Sequence, residues 1–94
     1  MRKFGKDKPE LMSFNLGNSK KVYNIPLAAS MPATLIMKMQ EAYKEGEAAA
    51  FAFQLDLLKK YIGDAADNLT AGDVRDIFNA WAADSAEQGA EPGE

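Results

Sequence analysis

The chain has 94 residues and a mass of 10.2 kDa, with no cysteine, no histidine and a formal charge of −3. That length holds one small domain, and the missing imidazoles and thiols exclude histidine bases, cysteine nucleophiles and the usual zinc ligand sets. The 47% of hydrophobic residues suffices for a core, but so short a domain buries a modest share of its surface without a disulfide or metal to help, so association with other copies or a partner is expected.

Residues 1–10 mix charge with Gly5 and Pro9 and show no period, which predicts a mobile arm. Over residues 1–21 Arg2, Lys3, Lys6, Lys8, Lys20 and Lys21 stand against Asp7 and Glu10, a net of +4, whereas from Ile62 onward eight carboxylates face Arg75 alone, a net of −7. The basic start has no ordered basic face and the acidic remainder repels phosphate, so a nucleic-acid partner is not expected. A solvated arm is the plain reading, and a head-to-tail contact between copies, basic end on acidic end, is the alternative. No apolar run follows the basic start and none is long enough to cross a bilayer, so a soluble, unprocessed chain without a membrane role is expected; its cysteine-free composition suits the cytoplasm.

Met12, Phe14 and Leu16 alternate with Ser13 and Asn15, Gly17-Asn18-Ser19 supplies turn chemistry, and Val22, Tyr23 and Ile25 begin a second β-prone run. The pattern predicts a β-hairpin over about 11–27, with Pro26 ending the second strand or confining it to an edge. A two-stranded hairpin is marginal alone and must lie on helices or on another chain. Pro32 suits the first turn of a helix over about 31–45, with Ser30 as its cap and Leu35, Ile36, Met39, Ala42 and Tyr43 on one face. Gly46 should stop it. A second helix over about 47–62 carries Phe51, Leu55, Leu58 and Ile62 on one stripe and Phe53, Leu57 and Tyr61 on another, leaving Gln54, Asp56, Lys59 and Lys60 for solvent, so it reads as the central helix touched from two sides, ended by Gly63.

Thr70-Ala-Gly-Asp73 has the layout of a capping box with aspartate in the usual Glu or Gln place, opening a third helix over about 71–86. Val74, Ile77, Phe78, Trp81 and Ala82 then fall at buried-stripe spacing. The tail, residues 88–94, is too polar and too rich in Gly and Pro to pack. The expected architecture is a single domain over 11–87, mainly α with a small β element: an N-terminal hairpin followed by three packed helices.

Catalytic and metal sites are weakly supplied. Asp64, Asp67, Asn68 and Asp73 cluster between two helices, but counting from Asp64 puts alanine at the third and leucine at the sixth calcium-loop position, so linker and capping roles are favoured over metal. Glu41, Glu45 and Glu47 lie beside Lys38 and Lys44 and read as a wet helix face rather than an acid–base pair. No phosphate loop or nucleophile elbow occurs, so neither enzyme activity nor a cofactor is expected. Interaction candidates are Phe14, Leu16, Tyr23 and Ile25, packing the hairpin on a neighbouring subunit or on the second helix. Met37 joins them, set roughly 160° from the Leu35/Met39 side at about 100° per residue. Phe78 and Trp81 read first as anchors of the third helix in the core and second as a partner hot spot.

The order of these features resembles the small tail assembly chaperones of long-tailed phages and prophages. The resemblance lies in Phe14 to Leu27, Ser30-Met-Pro-Ala33, the helical pair around Glu47 to Tyr61, and Asn68-Leu-Thr-Ala-Gly-Asp-Val-Arg-Asp-Ile-Phe-Asn-Ala-Trp81. It covers most of the expected domain and consists of hydrophobicity and punctuation rather than a catalytic signature. The resemblance implies a non-catalytic escort in the host bacterial cytoplasm that self-associates, coats the tape-measure protein and gives way to major tail protein as the tube polymerises. It transfers no strict site residue. The competing readings are a structural tail or connector component and a small helical regulatory or nucleic-acid-binding domain; against the latter, the third helix has Arg75 as its only cation.

Overall fold

The computed structural model describes residues 9–89. Strands β1 (Leu11–Phe14) and β2 (Tyr23–Pro26) form an antiparallel pair, and a 3-10 turn covers Ala28–Ser30. Helices α1 (Ala33–Glu45), α2 (Glu47–Ile62) and α3 (Ala71–Gly89) follow, with a second 3-10 turn at Gly63–Asn68 between the last two. The protein is mainly α, with a β-hairpin ahead of three helices, as its periodicities predict.

The hairpin register sets Met12 opposite Ile25 and Phe14 opposite Tyr23. Period-two alternation gathers these four on the core-facing side, where Met12 and Ile25 are buried and the Phe14 and Tyr23 rings lie 6.0 Å apart. Gly17 has φ +55 and the Ser19 N–H donates to the Leu16 carbonyl at 3.0 Å, so the connection turns through a conformation that glycine adopts without a Cβ clash. Pro26 sits opposite Leu11, where a backbone N–H would point away from β1, so its ring removes no ladder bond.

Pairing runs one residue beyond the strands. The Leu27 N–H donates to the Glu10 carbonyl at 2.8 Å, and the Glu10 N–H donates to Ser30 Oγ at 2.8 Å. Glu10 therefore belongs to the folded domain, not to the arm predicted over 1–10; the rest of that arm, through Lys8, lies outside the described residues. Ser30 is spent on this bond instead of capping α1. Pro32 takes the cap position itself, one residue ahead of its expected place, and its carbonyl accepts from the Leu35 and Ile36 N–H groups at 3.0 and 3.2 Å.

Ile25, Leu58 and Val74, one each from β2, α2 and α3, are the largest fully buried side chains. The core thus centres where the hairpin and α3 meet one side of α2, which contacts α1, β2, the second 3-10 turn and α3. The turn between α1 and α2 is Gly46 alone, with φ 126 and ψ 179. From α1 only Met39 is buried, and its contacts with other elements are chiefly with α2. Gln54 was expected in solvent; it is half-buried, and its Nε2 donates to the Tyr43 hydroxyl at 3.0 Å across the α1–α2 seam.

At the start of α3 the Asp73 N–H donates to Thr70 Oγ1 at 3.1 Å and the Thr70 N–H donates to Asp73 Oδ2 at 3.0 Å, a reciprocal capping box. Val74, Phe78 and Trp81 are buried; Ala82, expected on the same stripe, is exposed. The helix runs on through Gly89, past the boundary near residue 86 and into the predicted tail, the remainder of which lies outside the described residues. Among the described residues, no helix is long and apolar enough to cross a membrane.

Candidate protein-interaction surfaces

The residues singled out from sequence fall into three groups. Ile25, Phe78 and Trp81 are 0%, 5% and 6% exposed, so they are core residues and offer a partner nothing while the domain is folded. Phe14, Leu16 and Tyr23 are half-buried at the hairpin. Met37 stands clear of the fold at 61% exposure, on the polar side of α1.

Trp81 has a second task that periodicity does not reveal. Its indole Nε1–H donates to the Pro26 carbonyl at 2.8 Å, and one turn later Ser85 Oγ accepts from the Ala28 N–H at 3.0 Å. Two side chains of α3 thereby clasp the chain where it leaves β2, satisfying backbone groups that end the sheet. Proline at residue 26 cannot donate but keeps its acceptor, and a tryptophan, a pure donor, meets it. No local signal could have paired residues this far apart in sequence.

Two surfaces remain open. One is the incompletely covered surface of the α1–α2 hairpin. Because α1 leans chiefly on α2, Leu35, Ile36, Phe51, Phe53 and Leu55 are only half-buried, and Met37 and Tyr43 are exposed. Tyr43 belongs to the predicted apolar stripe of α1, yet it is 45% exposed, at an open cavity that it shares with Gln54 of α2 and Arg75, Phe78 and Trp81 of α3. The other is a groove of about 330 Å³ between β1 and α3, with Met12, Phe14, Leu16 and Ile77 contributing apolar walls and Asp76 and Asp84 on its helical side. Sequence reasoning missed this groove, since it needs α3 laid along β1; the acidic bias of α3 was its only trace.

The remaining carboxylates have local work or face solvent. Asp73 caps α3, Asp67 pairs with Lys59 Nζ at 3.2 Å, and Glu41, Glu45 and Glu47 are exposed. Among the described residues no cluster of three acidic side chains is placed to hold a metal ion. Comparison with protein-family models, with curated proteins and with solved structures found no match to this chain.

Proposed function

We propose that the chain is a non-catalytic tail assembly chaperone that binds the tape-measure protein of a long-tailed phage and assists polymerisation of the tail tube. The observation that supports this reading is the incomplete cover of α1 and α2, where Leu35, Ile36, Phe51, Phe53 and Leu55 are half-buried and Met37 and Tyr43 are exposed. A pair of helices with apolar residues at helical spacing accepts a third, amphipathic helix. Each 40 Å² of apolar surface so covered contributes about 1 kcal/mol at about 25 cal/mol per Å². A single site of this kind is weak, but many copies strung along one elongated helical partner hold it collectively and release it one subunit at a time. Such a coat yields to a growing tube without any chemical step, in the host cytoplasm.

The test is co-expression with a tape-measure protein of a long-tailed phage. Several copies should co-purify with each tape-measure molecule, and Met37→Asp should lower the recovered complex at least tenfold while leaving the far-UV circular dichroism spectrum unchanged. Mass spectrometry of purified particles should not find the chain. Its presence there in stoichiometric amount would favour a structural tail component, and full recovery of the complex with Met37→Asp would remove the Met37 side of α1 from the binding surface.

A further inference from the structure

We infer that the groove between β1 and α3 is the docking slot for the basic amino-terminal segment, residues 1–8, of a second copy of this chain. Among the described residues β1 has a partner strand on one side only, in a two-stranded sheet of order β1-β2. Glu10 and Leu27 form a hydrogen-bonded pair, and the register places Met12 and Phe14 in the same class. By the alternation of an antiparallel ladder, the N–H and C=O groups of Leu11 and Ser13 point to the free edge. The groove is bordered by consecutive residues, Met12 through Leu16, so the strand presents that edge and not merely one face. An unpaired edge beside an apolar trough is a template for an added strand.

Charge and spacing select the occupant. Asp76 and Asp84 line the groove, and no described residue forms an ion pair with either. They are eight positions apart on α3, about 12 Å along the axis at about 1.5 Å per residue, with Ala80 midway. In an extended segment Arg2, Phe4 and Lys6 share one face, and Arg2 and Lys6 stand about 13 Å apart at about 3.3 Å per residue. The two cations match the two carboxylates, and Phe4 falls over Ala80 and Ile77 between them. The segment spans about 26 Å when extended, enough to cover Leu11 to Leu16, about 20 Å.

The segment cannot reach this edge in its own molecule by a tight reversal. A two-residue hairpin turn at Pro9-Glu10 requires a positive φ at its first central residue, and proline is held near −65°. A three-residue loop requires a left-handed residue at Glu10, and no described residue other than glycine has positive φ. Glu10 is moreover fixed at both its N–H and its C=O. With those tight turns closed, the proposed occupant is the segment of a neighbour, which would give either a reciprocal dimer or an open row of subunits.

A charge-swap cycle in the full chain tests this independently of tail assembly, because it reads self-association in the absence of any tail protein. Wild-type protein should show a concentration-dependent mass by sedimentation equilibrium that falls as salt rises from about 0.05 to 0.5 M. R2E/K6E and D76K/D84K should each weaken association at least tenfold with unchanged circular dichroism, and R2E/K6E/D76K/D84K should recover it. A monomeric wild type, association unchanged in either pair variant, or loss in both without recovery in the quadruple variant would overturn the assignment.

Discussion

Trp81 shows how one side chain joins burial to hydrogen bonding. It fills the core beside Phe78, with ring centroids 5.8 Å apart, and closes the carbonyl of Pro26. Trp81→Phe keeps an aromatic ring but leaves that carbonyl without its donor, so unfolding free energy should fall by about 1–3 kcal/mol in urea titration. Phe78→Ala should cost about 3–5 kcal/mol because it opens a cavity. Thr70→Ala removes the acceptor for the Asp73 N–H and should cost about 1 kcal/mol. Ile25 has no exposed surface, and an unpaired amide there carries a desolvation cost, so Ile25→Asn should abolish cooperative unfolding. A lowered oligomer mass in a Tyr23/Ile25 double variant would then report a lost fold, not a lost interface.

Among the elements, α1 is the most loosely held. β2, α2 and α3 each contribute a fully buried large side chain, whereas α1 contributes Met39, packed mainly between itself and α2. Local opening is easiest where few apolar contacts must be broken. Amide hydrogens of α1 should exchange well before those in the middle of α2 and α3; equal protection across the three helices would contradict this ranking. Gly46 sets the sharp reversal into α2 from a backbone region that side-chain-bearing residues enter at a cost. Gly46→Ala should destabilise by about 1–3 kcal/mol although open space surrounds the site, and the loss should be read as strain in the α1–α2 connection.

Over the whole molecule, the separation of charge argues for protein partners. The described part of α3 carries Asp73, Asp76, Asp84 and Glu87 against Arg75, so the longest helix repels a phosphate backbone. A fluorescent 20-base-pair duplex should show no anisotropy change with protein up to about 100 μM at about 0.15 M salt; binding that weakens steeply with salt would restore a nucleic-acid role. The same acidic face that disfavours DNA favours a basic peptide electrostatically, and the incomplete apolar cover of α1 and α2 involves other elements. Self-association and partner binding are thus proposed at different elements, so a variant in one should spare the other.

The hairpin, the three helices, the Gly46 and Gly63 breaks and the Thr70/Asp73 cap were legible in the sequence because each follows from residues within a few positions of one another. Period-two and period-3.6 patterns, a missing proline N–H and a short side-chain cap act locally. Tertiary structure decided which half of each apolar pattern is covered. Tyr43 and Ile25 both occupy predicted apolar positions, yet one is 45% exposed and the other fully buried, because α1 meets little beyond α2 while β2 lies in the core. The groove beside β1, the clasp from Trp81 to Pro26 and the use of Ser30 to hold Glu10 also needed the fold. Each joins residues 20 or more positions apart, and sequence periodicity holds no information about which surfaces of two elements will face each other.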